Sequence, residues 1–376
     1  MAAIRTEIAI IGAGVIGNSI AYHLARVGRR VLVIERGEVA SEPAASWASA
    51  GGVRRQGRHP AEALLAIEAN GRWRTLSEEL EADTDYRRGG QLLLAENEHE
   101  ARYLEEFVKQ QQAMGFSDVR LVDGKEAHAI VPGLNHQVIA GSYSPGDGQA
   151  NSPATTRAFA QAARRAGATY WTGTAALALM ARDPRVTGVA TERGEVEAEH
   201  VVLAAGTWSD ELALGIGLRL PIRTLALQML LSTPAQAVTL QPVLSAVGRK
   251  LSLKQLDDGA YFLGGGWLGD VTDDRRGYRT RAESIEGNWA AACGLLPAVG
   301  EQRMARAWCG LEAESIDGIP FVGPAPGMTG LTLALGFSGH GFALAPAVGR
   351  AVADQLNGQR TTELDGLSPA RIGASF

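Results

Sequence analysis

The sequence predicts a mixed α/β fold, α+β overall, in which a domain built on a βαβ unit is interleaved with a second domain built on a mainly antiparallel sheet. Its 376 residues exceed the usual size of one domain and predict two. A short apolar run before a glycine-rich turn predicts a buried parallel strand near the start. Short β-like segments in the second half predict the antiparallel sheet. Because no low-complexity linker separates the two parts, we expect the chain to cross between them more than once.

The βαβ unit lies within residues 7–36. The apolar run Glu7–Ile11 predicts its first strand, and Asn18–Val27 has the pattern of a helix. A second apolar run, Arg30–Ile34, predicts a buried strand that ends at Glu35-Arg36. The order of strand, glycine turn, helix and strand is that of a Rossmann-type unit.

Helical and β-like patterns continue along the rest of the chain. Helices are expected at 60–82, 97–114, 153–166 (with Asn151 or Ser152 as its N-cap) and 342–357. Strands are expected at 90–94, 168–171, 175–180, 186–191, 196–197, 200–206, 225–232, 251–255, 260–264, 304–309 and 331–335.

Composition and charge argue against several classes of protein. The net charge is −5 and the pI about 5.9, so no nucleic-acid partner is expected. The two cysteines, Cys293 and Cys309, form no CxxC pair, so we expect neither a disulfide framework nor a metal site. The first residues do not resemble a secretory signal, and no run of about 18 apolar residues occurs. We therefore expect a cytoplasmic protein without a membrane span.

The glycine turn has a dinucleotide-binding pattern. Gly12 permits the tight turn, Gly14 lets a pyrophosphate approach the backbone, and Gly17 lets helix and strand pack closely. The helix that follows offers N–H groups and the positive end of its dipole to the pyrophosphate. Glu35, at the end of the second strand, is placed to accept hydrogen bonds from ribose hydroxyls, and its charge disfavours NADP. The motif itself does not distinguish FAD from NAD.

Four further segments indicate the cofactor: Ser46–Val53, Ala204–Ser209, Asp317–Gly323 and Gly336–Phe342. With them, the sequence resembles the D-amino-acid-oxidase-like flavoenzymes, the group of glycine oxidase and sarcosine oxidase, over nearly the whole chain. The resemblance implies FAD on a Rossmann-type FAD-binding domain that is interleaved with a substrate-binding domain. The FAD-binding domain would comprise 1–85, 141–220 and 318–376, and the substrate-binding domain 86–140 and 221–317. No second GxGxxG opens a helix as a site for NAD(P)H, and no CxxxxC pair is visible, which favours reduction by an organic substrate over NAD(P)H.

The resemblance also implies which residues bind FAD. Ser46 and Ser49 resemble hydroxyl contacts of a loop beside the diphosphate and the flavin. The turn before the last helix resembles the one that holds the flavin pyrimidine edge, where the helix N-terminus stabilises negative charge. The expected FAD-binding residues are Gly12, Gly14, Val15, Ile16, Gly17, Glu35, Arg36, Ser46, Ser49, Ala50, Gly51, Gly52, Ala176, Ala205, Gly206, Trp208, Gly310, Gly336, Ser338, Gly339, His340, Gly341 and Phe342.

Oxidation of an amine next to a carboxylate is the reaction that the resemblance implies. Hydride would leave the α-carbon for flavin N5, and water would hydrolyse the resulting imine. Glycine, sarcosine, iminodiacetate and D-proline-like compounds all fit as substrates, with oxygen or another electron acceptor to reoxidise the flavin. Alternatively, the chain is the catalytic subunit of a hetero-oligomeric dehydrogenase that passes electrons to a partner or to quinone. The Gly-Leu-Glu sequence at 310–312 resembles catalytic subunits of the sarcosine-oxidase-β and hydroxyproline-dehydrogenase type. A homo-oligomer also stays open.

The two arginines that hold the substrate carboxylate in glycine oxidase have no counterpart in this sequence. Their positions are occupied by Glu312 and Gly339. Arg54, Arg55 and Lys254 are the candidates to replace them, because cations hold carboxylates and arginine can do so with two parallel hydrogen bonds. The alternative for Arg54 and Arg55 is a solvated basic loop that also contains Arg58 and His59.

Three other residues have two interpretations each. His340 either donates a hydrogen bond to flavin O2 or to the substrate, or it has a structural role. Glu312 either binds an ammonium group or is a solvated carboxylate at a strand end. Cys309 lies close to the position that links the flavin covalently in monomeric sarcosine oxidase, but one residue away from it. We therefore expect a non-covalent FAD.

Overall fold

A computed structural model describes residues 4–372 of the chain. The strands within these residues are β1 Ile4–Ile11, β2 Val31–Ile34, β3 Gly52–Val53, β4 Gln91–Ala95, β5 Arg120–Asp123, β6 Ala140–Ser144, β7 Gly148–Gln149, β8 Thr169–Trp171, β9 Ala176–Arg182, β10 Arg185–Thr191, β11 Gly194–Leu203, β12 Ile222–Pro234, β13 Val243–Ala246, β14 Arg249–Gln255, β15 Ala260–Gly264, β16 Asp270–Val271, β17 Tyr278–Arg279, β18 Met304–Ser315, β19 Phe321–Pro324 and β20 Leu331–Leu335.

The α-helices are α1 Val15–Arg26, α2 Ala45–Ala48, α3 Ala63–Trp73, α4 Leu76–Glu79, α5 Glu98–Ala113, α6 Gly124–Ile130, α7 Ser152–Arg165, α8 Ser209–Leu214, α9 Ala282–Leu295 and α10 Gly341–Leu356. Short 3-10 helices lie at Pro60–Glu62, Gly206–Trp208, Pro297–Glu301, Thr362–Leu367 and Pro369–Ile372. Within residues 4–372, no helix is long and apolar enough to cross a membrane.

The first sheet has the strand order β19-β20-β11-β1-β2-β8, with β10 and β9 added beside β11. Strands β20, β11, β1, β2 and β8 run parallel, as expected for a Rossmann-type unit. Ile8 and Ile10 of β1 pack into one apolar cluster, and Ala9 and Ile11 into another. Both faces of the sheet are therefore buried, which explains why its strands are continuous apolar runs.

The second sheet has the order β18-β12-β15-β14-β13-β4-β6-β5. Its neighbouring strands are antiparallel except β13 and β4, which are parallel with Val243 opposite Gln91. Leu92 and Leu94 of β4 pack with Ala292 of α9 in one apolar cluster. The two sheets together confirm the predicted fold class.

The chain crosses between the two sheets four times. Strands of the first sheet come from residues 4–34, 169–203 and 321–335, and those of the second from 91–144 and 222–315. Strand β6 pairs in the second sheet and spans the predicted boundary at residue 140. The domain boundaries stay a prediction, while the sheet memberships show the interleaving.

Several elements differ from the sequence prediction. The two short strands expected at 196–197 and 200–206 form one strand, β11, which ends at Leu203, because β1 pairs with it in one register on both sides of the polar Glu199. The single helix expected at 60–82 is divided into a 3-10 turn, α3 and α4. In contrast, the helix expected at 153–166 is confirmed as α7, and the side chain of Asn151 caps it by accepting the N–H of Ala154 at 3.0 Å.

Candidate active site

A cavity of about 1370 Å³ lies between the two sheets. Its walls include the glycine turn after β1, the end of β2, the loop that leads into β3 and the turn before α10. Residues of β12, β14 and β18 line it from the second sheet. The cavity therefore begins at the carboxyl ends of parallel strands, where α/β folds bind nucleotides.

The glycine turn is shaped by backbone contacts that leave no room for side chains. Gly12 has a φ of +103°, a conformation that favours glycine. A Cβ on Gly12 would collide with the carbonyl oxygen of Ala204 at the end of β11. A Cβ on Gly17 would collide with the carbonyl oxygen of Gly12, so Gly17 permits the close packing of α1 on the turn. Gly14 lines the cavity, and a Cβ there would lie 3.2 Å from the Oγ of Ser46.

Glu35 is held at this turn by two backbone N–H groups. Its carboxylate accepts the N–H of Ala13 at 2.7 Å and that of Gly37 at 2.9 Å. Its neighbour Arg36 stacks on Trp208, with 4.9 Å between the guanidinium carbon and the ring centroid. Glu35, Arg36 and Trp208 all line the cavity. A carboxylate fixed at the end of β2 suits recognition of a ribose.

The loop before β3 runs along the glycine turn. The Oγ of Ser46 accepts the N–H of Val15 at 3.0 Å, which ties the loop to the first turn of α1. The Oγ of Ser49 accepts the N–H of Gly51 at 3.1 Å. A Cβ on Gly51 would collide with the carbonyl oxygen of Ala150. Since the loop presents small side chains to the cavity, it leaves space for a large ligand beside the turn.

The turn before α10 is anchored on β18. Gly336, Ser338 and Gly339 have φ values of +71°, +52° and +81°. The N–H of Ser338 donates to the carbonyl oxygen of Ala313, and its Oγ accepts the N–H of Ser315, both at 3.1 Å. Because α10 begins directly after this turn, the N–H groups of its first turn lie at the cavity wall.

His340 and Glu62 form a pair at the same turn. Nδ1 of His340 lies 3.0 Å from Oε1 of Glu62, whose side chain is fully buried. Burial lowers the pKa of His340 to about 4; the charge of Arg58 adds to this effect and Glu62 opposes it. Burial raises the pKa of Glu62, but the hydrogen bond from His340 and the charge of Arg58 outweigh it, so the pKa is lowered. Ionised Glu62 thus accepts the Nδ1–H of a neutral His340, which leaves Nε2 as a hydrogen-bond acceptor.

Arg54 and Arg58 line the cavity and form no ion pair with any residue between 4 and 372. Arg58 is 4% exposed; its Nε donates to the carbonyl oxygen of Arg54 at 3.2 Å, and its Nη1 has no hydrogen-bond partner among residues 4–372. Arg54 makes one long hydrogen bond, 3.4 Å from its Nη1 to the carbonyl oxygen of Gln56. Burial and the charge of Arg54 lower the pKa of Arg58 to about 9. Because buried cations are stabilised by anions, this pair is a candidate carboxylate site.

Two of the predicted carboxylate-binding residues lie outside this cavity. Arg55 donates to Asp118 at 2.8 Å and to Asp147 at 3.2 Å, so its charge is already paired. Lys254 lines a separate cavity of about 220 Å³, with its Nζ 5.1 Å from the ring centroid of Phe262. It is 6% exposed, and burial lowers its pKa to about 7.

Neighbouring residues of β18 point in different directions. Glu312 lines the cavity, and its carboxylate accepts the N–H of Gly339. Burial raises the pKa of Glu312 to about 7, against the lowering effect of that hydrogen bond. The side chain of Cys309 is fully buried and packs with Ala226 and Leu311, and burial raises its pKa to about 12. Cys309 thus lies away from the ligand space as an inert thiol.

The glycine turn, the fixed carboxylate of Glu35 and the small-residue loop together fit a dinucleotide cofactor. A family model of the DAO group, described as FAD dependent oxidoreductase, matches residues 7–355. The chain belongs to this family.

Relatives within the family resemble the chain over almost its full length. The glycine oxidase of Pseudomonas aeruginosa is 33% identical over 94% of this chain and 95% of its own length. The crystal structure of L-proline dehydrogenase from P. horikoshii has a TM-score of 0.91 at 27% identity, covering 99% of this chain and 98% of the other. Iminodiacetate oxidase from Chelativorans sp. BNC1 has a TM-score of 0.84 at 25% identity, covering 96% and 99%.

Family membership confirms the predicted cofactor, FAD, and the predicted enzyme class, an FAD-dependent oxidoreductase. The contacts of individual residues with FAD stay predictions, but the structure brings nearly all of the expected residues together. Gly17 packs inside the turn. The expected residues that line the cavity are Gly12, Gly14, Val15, Ile16, Glu35, Arg36, Ser46, Ser49, Ala50, Gly51, Gly52, Ala176, Ala205, Gly206, Trp208, Gly310, Gly336, Ser338, Gly339, His340, Gly341 and Phe342.

Sequence reasoning missed Arg58 and Glu62. The basic cluster around Arg58 has the composition of a solvated loop, and no local pattern marks one of its members as buried. One signal was available, because Glu62 stands three residues after His59 with Pro60 between them, a spacing typical of a helix start. The partner of Glu62 is His340, which lies 278 residues further along the chain. Only the fold of the FAD-dependent oxidoreductase brings these two side chains together.

Proposed function

We propose that this FAD-dependent oxidoreductase oxidises the C–N bond of a small amino acid or N-substituted glycine, whose carboxylate binds to Arg54 and Arg58. The observation that carries the proposal is the buried Nη1 of Arg58, which has no hydrogen-bond partner among the described residues and belongs to a cavity-lining side chain. The names of the three relatives support it, since glycine, proline and iminodiacetate are all amines with a carboxylate on the adjacent carbon. Sarcosine and D-proline-like compounds have the same arrangement.

The chain's own residues fit a non-covalent FAD. Gly12, Gly14 and Glu35 would hold the dinucleotide, and the loop before β3 with the turn before α10 would hold the flavin. When bound, FAD accepts the hydride that leaves the substrate carbon. Cys309 faces the apolar cluster on the other side of β18, which supports a non-covalent cofactor.

Arg54 and Arg58 would act by position and charge. A guanidinium binds a carboxylate through two parallel hydrogen bonds, which fixes the carboxylate plane and with it the adjacent carbon. Such fixation lowers the entropy cost of bringing the reacting carbon to the cofactor. His340, held by Glu62, would present its Nε2 as a neutral acceptor and add no positive charge beside the arginines.

The first experiment is anaerobic reduction of the purified yellow holoenzyme. Glycine, sarcosine, iminodiacetate, L-proline, D-proline, D-hydroxyproline and D-alanine are added separately, and the flavin absorbance band is followed. We expect rapid loss of the band with at least one of them, and readmission of air then tests oxygen as the electron acceptor. If FAD is bound and no amine in the panel bleaches it, the proposed reaction is wrong.

A further inference from the structure

Among the described side chains that line the cavity, the carboxylate of Glu312 has no cationic partner, and Arg54 and Arg58 have no carboxylate partner. Glu312 forms no ion pair with any residue between 4 and 372, and its one hydrogen bond comes from the backbone N–H of Gly339. Arg54 and Arg58 form no ion pair with the same part of the chain. All three side chains line one cavity, so its wall presents both signs of charge separately.

A neighbouring acid on the same strand provides a comparison for Glu312. Glu314 also lines the cavity, two residues further along β18, but it forms an ion pair with Arg223 of β12. Residue 312 pairs with Leu225 of β12, which offers no charge. The fold thus neutralises Glu314 and leaves Glu312 available.

The physical state of Glu312 favours a cationic ligand. Burial raises its pKa to about 7, which means that its ionised form is poorly compensated by the protein. A cation entering the cavity would stabilise that form. Since the arginines likewise lack an anion, the cavity is complementary to a molecule with one charge of each sign.

We propose that Glu312 binds the positively charged nitrogen of a zwitterionic substrate whose carboxylate is held by Arg54 and Arg58. The inference rests on the proposed function. It makes Glu312 a residue that determines specificity, because its charge attracts a positively charged nitrogen and repels a carboxylate at the same position. The preferred substrate is then a zwitterion that presents its ammonium group, and not its carboxylate, to β18. One ammonium proton passes to the Glu312 carboxylate before hydride leaves the adjacent carbon, because the imine forms only from the free amine with its lone pair.

The test uses two ligands of the same shape that differ in one charge. Trimethylglycine has a quaternary nitrogen, and 3,3-dimethylbutanoate has a carbon atom in its place; neither has an amine lone pair, so neither forms an imine. Dissociation constants for the holoenzyme are measured from the change in flavin absorbance. We expect the wild type to bind trimethylglycine more tightly, on the order of tenfold. E312Q and E312A should bind the two ligands equally, whereas E314Q should keep the wild-type preference.

The outcomes separate this inference from the proposed function. Equal binding of the two ligands by the wild type, or an unchanged preference in E312Q and E312A, would overturn the role of Glu312 and leave the carboxylate site intact. Failure of both ligands to bind would overturn the carboxylate site at Arg54 and Arg58, and the inference with it.

Discussion

The glycine turn after β1 and the β18 side of the same cavity are built by different means. The turn is a backbone structure, in which Gly12 and Gly17 permit contacts between main chains of one βαβ unit and of β11. The opposite side presents polar and charged side chains from three distant segments, with Arg58, Glu312 and His340 as examples. The difference teaches that the shape of the cofactor-binding turn is encoded by residues close together in sequence. The charges that would bind a substrate are brought together only by the tertiary fold.

The largest effect should come from a single methyl group in the turn. In G12A, the new Cβ collides with the Ala204 carbonyl oxygen in a left-handed backbone conformation, and such strain and overpacking typically cost about 2–6 kcal/mol together. We expect purified G12A to lose most of its FAD, measured as the ratio of flavin to protein. G71A is the matched control, since a Cβ at Gly71 of α3 meets no atom within 4 Å. Full FAD content in G12A would refute the backbone account of the turn.

A smaller effect is expected from removing one charge on the substrate side. R58Q should weaken binding of 3,3-dimethylbutanoate to the holoenzyme by about thirtyfold, because hydrogen bonds between charged groups contribute about 1.5–3 kcal/mol. FAD content should change little. R58K should recover part of the affinity as a point charge, and R102Q, on exposed α5, serves as the control. An unchanged dissociation constant in R58Q would show that the charges of this side are not the carboxylate site.

A moderate loss of folding stability is expected when the pH is lowered. Burial gives His340 a pKa of about 4 in the folded protein, below its value of about 6.5 in an unfolded chain. Between these values the unfolded chain binds more protons, so the stability from neutral His340 is complete above about pH 6.5 and is lost as the pH falls towards 4. The thermal midpoint of the holoenzyme should therefore fall over this range, and less steeply in H340Q.

His200 gives the matched control for this prediction. It lies on β11, and burial also lowers its pKa to about 4. H200Q should reduce the pH dependence to a similar extent, but H340Q alone should change the affinity for carboxylate ligands. The wild-type pH dependence in H340Q would contradict a neutral histidine in the fold.

The smallest effect should arise from helix caps. Asn151 caps α7, and the next residue, Ser152, donates its hydroxyl to the carbonyl oxygen of Ser46 at 2.7 Å. N151A should lower the free energy of unfolding by about 1 kcal/mol and weaken FAD binding a few-fold. N97A removes the equivalent cap of α5 and should cost similar stability without affecting FAD. Equal FAD affinities in the two variants would show that the loop at Ser46 does not depend on its neighbouring helix.

The parts that could be predicted from sequence are those determined by nearby residues. The glycine turn, the cap at Asn151 and the start of α10 follow from local backbone requirements, and the structure has them. The burial of Arg58 could not be predicted, because it depends on packing among segments far apart in the chain. Arg55 illustrates the same limit: its neighbours in sequence are those of Arg54, yet it pairs with Asp147 and lies outside the cavity.

The parallel pairing of β4 with β13 could not be predicted from the sequence either. The two strands are far apart in the chain, with Val243 opposite Gln91, and residues 243–246 show no alternation that would predict a strand. Helix α9, Ala282–Leu295, has Ile285, Trp289 and Ala292 at helical spacing and packs them in the apolar cluster of the second sheet. Such elements form because their apolar side chains are buried in the apolar cluster of the second sheet. Intrinsic secondary-structure propensity contributes little to their formation.

The late position of β20 in the chain has a consequence for biosynthesis. Its partner β11 ends at Leu203, whereas β20 begins at Leu331, so about 130 residues must be translated before the two can pair. At about 5–20 residues per second, the ribosome holds an incomplete first sheet for roughly ten seconds. The turn before α10 emerges only after β20. We therefore expect the nascent chain to capture FAD after translation, and to depend on chaperones until then.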